Sequence, residues 1–170
     1  MPRDPANFSQ DPIDRVVVGL GTTEDPGADT DGEVYLLLAG REFNLKRPDI
    51  NDRERGANDD YVLGRGANIE NKAKNNPRDV PIFLVWGHPV GLRFEPVNAL
   101  DEWNIADCGV QVFTQGGFED FYYLDAGTGD LWLGRNSGLV LYFEEFIQGE
   151  DKDEPPRQRQ QRGGYSTVSP

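Results

Sequence analysis

The chain predicts an all-β fold, an antiparallel β-sandwich of two roughly four-stranded sheets, and three observations carry that prediction. Its apolar runs are short and are separated by Gly, Pro, Asn and Asp. Residues 41–45 and 109–113 alternate polar and apolar at the period of two expected of half-buried strands. No stretch sustains the 3.6-residue apolar period of a helix, which leaves a sandwich or barrel as the way to bury these strands.

The first strand opens at Arg15 and carries Val16, Val17 and Val18, β-branched residues that suit a pleated surface. A Gly- and Asp-rich loop over 21–32 leads into a second strand over 33–39, a continuous apolar run broken by Gly40. The alternating run 41–45 ends before Pro48, and a polar connection over 49–60 precedes Tyr61, Val62 and Leu63, where β structure resumes. Residues 64–79 read as an irregular excursion. Residues 80–86 read as a strand with Pro81 at its start, where proline is tolerated. A turn over 88–91 puts Val90 and Leu92 beside a glycine and predicts an exposed apolar tip there. Further strands follow around Leu92, over 103–113 and over 118–124. A turn at 128–130 precedes the last strands, over 131–133 and 139–143. Residues 1–14, polar and proline-bearing, read as a flexible arm, 15–147 as the sandwich, and 148–170 as a charged tail too poor in apolar residues to order itself.

The formal net charge of −13 over 170 residues argues against nucleic acid as a partner, because phosphates call for a basic surface. It also disfavours direct attraction to anionic lipid unless bound cations change the local field. The single Cys108 permits no internal disulfide and sits in an apolar run, where it packs as a small hydrophobe. His88 is the sole histidine and sits in a turn. No zinc cluster, nucleophile–base pattern or dinucleotide fingerprint is assignable, so a non-enzymatic protein is expected. Trp86, Trp103 and Trp132 lie in or beside apolar runs and are expected in the core. No signal peptide and no apolar span of membrane-crossing length is visible. That predicts a cytoplasmic protein or one exported without a cleavable signal.

Two oxygen-rich stretches bracket the second and third strands: Asp29, Thr30, Asp31 before them, and Asn58, Asp59, Asp60 after them. As turns they are ordinary, since Asp, Asn and Gly are common turn residues. As ligand loops they would suit calcium, which takes six to eight oxygens from carboxylates, amides and carbonyls.

The order of motifs resembles the PLAT, or lipoxygenase-homology, β-sandwich domain. The matching pieces are Val16 to Gly19 in the first strand and the run from Thr30 through Asp31, Gly32, Glu33 and Val34 to Tyr35. The segment with Glu54, Arg55, Gly56 and Asp59, the tryptophan-led strand at Trp103, and Trp132 complete the match. The resemblance covers roughly residues 15–145, although Arg53 stands where the family has Phe and Asp29 where it has Gly. It implies a non-enzymatic module that binds a lipid or protein surface with the help of calcium. Thr30 and Asp31 would form one ligand loop, Asn58 and Asp59 a second, and Asp101 a third contribution. The competing expectation is a structural or assembly component. There the sandwich is a rigid body, and the arm and tail tether it to neighbouring subunits or to further copies of the chain.

Overall fold

A computed structural model of the chain describes residues 9–125 and 131–146. The expected tail, the turn at 128–130 and the first eight residues of the expected arm lie outside the described residues. Along the described residues run β1 (Ile13–Thr22), β2 (Glu33–Leu38), β3 (Arg41–Asn44), β4 (Asn58–Gly64), α1 (Ile82–Trp86), β5 (Gly91–Glu95), β6 (Trp103–Thr114), β7 (Glu119–Asp125), β8 (Leu131–Leu133), β9 (Val140–Tyr142) and β10 (Glu144–Phe146). They form two antiparallel sheets. The larger has the order β10-β7-β6-β1-β4, with β8 paired to the first residues of β6, and the smaller has the order β3-β2-β5-β9. The predicted β-sandwich is the observed architecture.

The core lies between the sheets. Val16, Val18 and Leu20 of β1 face Val34, Leu36 and Leu38 of β2 and Leu92 and Phe94 of β5 in one buried cluster. Strand β2 alternates buried and half-buried residues despite its unbroken apolar sequence, so it is covered fully on one face only. Strand β6 changes parity within itself. Trp103 and Ile105 point inward at one end, Cys108, Val110 and Val112 at the other. A register shift against β1 between Leu20 and Thr22 absorbs the extra residue, as a β-bulge does. The bulge leaves Trp103 fully buried, with its Nε1 donating to Thr22 Oγ1 at 2.9 Å. Trp86 and Trp132 are only partly buried, and Trp86 Nε1 donates to Asp120 at 3.0 Å.

Two expectations are corrected. Residues 82–86 form a helical turn, not a strand. Ile82 and Val85, three apart, are buried while Phe83 between them is exposed, a helical spacing that a five-residue apolar run hides. Pro81 precedes the turn, and the amides of Ile82 and Phe83 bond the carbonyls of Asp11 and Ser9, so the end of the expected arm packs here. Val90 and Leu92 do not form an exposed tip: they are 3% and 0% exposed. β5 starts at Gly91, and Leu92 pairs with Leu36 and Leu141, which turns its side chain into the core. No helix of the described residues is long and apolar enough to cross a membrane.

Candidate functional site

At one end of the sandwich the loop before β2 meets the loop between β5 and β6. Residues 29–31 form one wall of an open cleft of about 380 Å³, and Val97, Asn98, Leu100 and Asp101 form the other. The two loops are joined by Thr30, whose buried hydroxyl donates to Asp101 Oδ1 at 2.7 Å and accepts the Gly32 amide at 2.9 Å. The other Asp101 oxygen accepts the Val97 amide at 2.9 Å. Asp101 is therefore held from both sides, while Asp29 and Asp31 stand exposed opposite it.

Gly32 makes this closeness possible. A Cβ built there would collide with the Phe94 ring and lie 2.9 Å from Asp101 Oδ2. Loop 96–102 can reach Thr30 only because the chain has no side chain at that point.

The rim of the cleft is apolar. Leu100 is 90% exposed and Val97 61% exposed. Both project from a loop cinched by its own backbone, in which the Asp101 amide bonds the Asn98 carbonyl and Asn98 Oδ1 accepts the Leu100 amide. The exposed apolar tip expected near Val90 thus lies in this loop instead. A signal for it was present in the sequence: two aliphatic residues inside a Pro- and Asn-containing loop, just before Asp101.

The structure brings together Thr30, Asp31 and Asp101 of the five residues the sequence suggested, and adds Asp29 and Asn98. Asn58 and Asp59 lie elsewhere. They open β4 rather than forming a loop, paired with Gly21 and Leu20 of β1. Being adjacent in a strand they take opposite faces. Asn58 is exposed, with its Oδ1 over Gly21 on the outer side near Asp107. Asp59 is buried, and its carboxylate accepts the backbone amide of Arg53 at 2.7 Å.

Asp59 belongs to a buried cluster beside the cleft, where Asp52 and Arg53 share a small cavity with Thr30 and Asp31. Arg53, 3% exposed, donates from Nη1 to the Leu45 carbonyl at 2.9 Å and from Nη2 to the Gly32 carbonyl at 2.9 Å. Tyr61 Oη lies 3.3 Å from Arg53 Nη1 and donates to Asp52 Oδ1 at 3.2 Å. Burial pushes the Asp52 carboxyl above its ordinary value, more than the Arg47 amide and the Arg53 charge pull it down. Burial likewise pushes the Tyr61 phenol up.

For a hard cation the open cleft has the right donor chemistry, since carboxylate, amide and hydroxyl oxygens line it. The donors line its walls rather than meet at one point. Among the described residues no three of His, Cys, Asp and Glu converge closely enough to hold a metal. Cys108 and His88 do not make a reactive pair. The Cys108 thiol is buried and pushed up to about 12 by that burial, with Asp107 adding to the effect. His88 is exposed, with Nδ1 2.8 Å from the Leu84 carbonyl.

No protein-family model and no curated protein matches the sequence. Among solved structures, the chain is similar to the alpha-toxin of an avian strain of Clostridium perfringens, with a TM-score of 0.52 at 17% identity, over 80% of this chain and 32% of that one. The alpha toxin of Clostridium absonum matches with a TM-score of 0.49 at 17% identity, over 79% and 32%. A LOX variant in complex with arachidonate matches with a TM-score of 0.46 at 12% identity, over 84% and 18%. The chain thus spans about a third of the alpha-toxin chains it matches. With two antiparallel sheets in this order and a likeness that extends over four-fifths of its length, the chain has the fold of a PLAT-like β-sandwich.

Proposed function

We propose that the chain is a non-enzymatic binding module that docks on a lipid surface through the 97–101 loop, with a divalent cation, calcium by its donor chemistry, held between that loop and residues 29–31. The observation that carries this reading is the placement of Leu100 and Val97, the most exposed aliphatic side chains among the described residues, on the rim of an acidic cleft. An apolar tip alone would meet repulsion at an anionic membrane, because the protein carries a net charge of −13. A cation taken up through Asp31 and Asp101, with backbone and water oxygens completing its shell because the cleft's carboxylates do not converge, reverses the local field and leaves coordination positions for lipid oxygens. Thr30 sets the position of Asp101 in this arrangement and Gly32 admits it. The resemblance to PLAT domains supports the same reading.

The test is sedimentation with vesicles of anionic lipid, in chelator and in millimolar calcium. The wild type pellets with vesicles in calcium only, and Val97→Ser with Leu100→Ser stays in the supernatant in both. Equal pelleting of wild type and double variant contradicts the proposal.

A second reading has its own observation. Strand β9 is an edge of the smaller sheet, and Leu139, Val140 and Tyr142 expose apolar surface there without a charged residue among them. The other edge strand of that sheet, β3, carries Arg41 and Glu42. Natural edges are usually guarded by charge, so β9 supports the alternative of an assembly component that adds a partner's strand. Concentration-dependent sedimentation velocity, with Val140→Lys as the disrupting variant, distinguishes it.

A further inference from the structure

The cluster around Arg53 has no role in the surface-binding reading, yet it is built with unusual commitment. Arginine is rarely so buried unless paired, and Arg53 is 3% exposed. It also adopts left-handed backbone, with φ at 58°, a costly region for any residue with a side chain. Its partners are all oxygens: the carbonyls of Gly32 and Leu45, the phenol of Tyr61, and the Asp52 carboxylate 3.7 Å from Nη1. Asp59 takes the backbone amide of the same residue. Two carbonyls, a phenol and two buried carboxylates are the kind of donor set a hard cation takes. They do not match the full guanidinium fork, since the buried Nε of Arg53 has no hydrogen-bond partner among the described residues.

We infer that Arg53 is the resident cation of this oxygen cluster. Its guanidinium does permanently what an exchangeable divalent ion would do there. It offsets the charge of Asp52, the backbone amide of the same residue holds Asp59, and the guanidinium ties Gly32, at the root of the 29–31 loop, to the end of β3 and to β4. The cluster is therefore insensitive to chelators and to calcium, and cation exchange is confined to the open cleft. This assignment concerns different ligands from the surface-binding proposal and stands whether or not the open cleft takes calcium.

The experiment uses the full chain carrying Asp31→Asn, so that the open cleft contributes little, and compares melting in chelator with melting in millimolar calcium. With Arg53 present, calcium leaves the melting temperature unchanged or nearly so. Adding Arg53→Met leaves Asp52 without its cation. That variant melts well below its parent in chelator and recovers by several degrees in calcium, more than its parent does. Adding Asp52→Asn to it removes the recovery. Arg53→Lys keeps the charge and shows no new calcium response. An Arg53→Met chain with no larger calcium shift than its parent overturns the inference. So does one that stays unfolded in both conditions, or an Arg53→Lys chain that gains the same shift as Arg53→Met. Because each comparison is between chains that share the Asp31→Asn background, a failure of the open-cleft proposal moves both members alike and is read separately.

Discussion

The open cleft and the Arg53 cluster share a boundary at residues 30–32 yet treat their carboxylates in opposite ways. In the cleft, Asp29 and Asp31 are exposed, and Asp101 is the one carboxylate tied down, by a hydroxyl and an amide. In the cluster, Asp52 is buried beside a guanidinium that also bonds two backbone carbonyls, and Asp59 is buried on the backbone amide of the same arginine. The first arrangement leaves negative charge available to an incoming cation. The second spends it internally. Two carboxylate-bearing stretches of similar sequence character thus end as an open cleft and a buried cluster, and the difference is a single buried arginine.

The sharpest way to break this contrast is to remove one charge from each side. Arg53→Ala leaves the buried Asp52 carboxylate without its cation and is expected to cost ~3–5 kcal/mol, the range for breaking a buried ion pair. Asp31→Ala, at an exposed position, is expected to stay within ~0.5 kcal/mol in chelator. Urea melts of both variants check the pair, and comparable losses would mean that the two regions are not different in kind.

Much of this was legible in the sequence, and the gaps have physical reasons. Strands β1 to β4 were readable because short apolar runs stand between turns that carry Gly, Asn and Asp, and because β3 alternates at a period of two. Helix α1 was not, because Ile82 to Trp86 is too short for a period to show. Only contacts with Ser9 and Asp11 decide between strand and helix there. The tip was misplaced because Val90 and Leu92 look loop-borne by composition, whereas pairing with Leu36 draws Leu92 inward. Thr30, Asp31 and Asp101 were named from motif order, and the structure places them around one cleft. The separation of Asn58 from Asp59 was hidden, since it depends on where β4 begins. Arg53 was noticed only as a departure from the family pattern, because sequence does not say whether an arginine in a polar connection is buried.

Gly32 links the two regions, since its carbonyl serves Arg53 and its missing side chain admits Asp101. Gly32→Ala is expected to cost ~1–3 kcal/mol, as overpacking does. It should also weaken any calcium response by displacing Asp101. Denaturant melts and calcium titration of the same variant report the two effects separately.

A smaller effect sharpens the comparison through pH. The Asp52 carboxyl is raised in the folded state, chiefly by burial. A raised acid contributes stability that is fully present below its unfolded value and is lost as pH rises through its folded value. Stability of the wild type relative to Asp52→Asn should therefore fall as pH climbs through the upper carboxyl range. Melts of both chains across that range check the sign. A difference that instead grows in favour of the wild type would mean that Arg53 outweighs burial at Asp52.

The most direct measurement is calcium calorimetry on Asp31→Asn and Asp59→Asn side by side, with the wild type as reference. One class of site is expected in the wild type, with no measurable binding heat for Asp31→Asn and a dissociation constant for Asp59→Asn within about twofold of wild type, a difference well under 1 kcal/mol. Loss of binding in Asp59→Asn with retention in Asp31→Asn would place the cation in the cluster that Arg53 is said to fill, and would contradict the account at its centre.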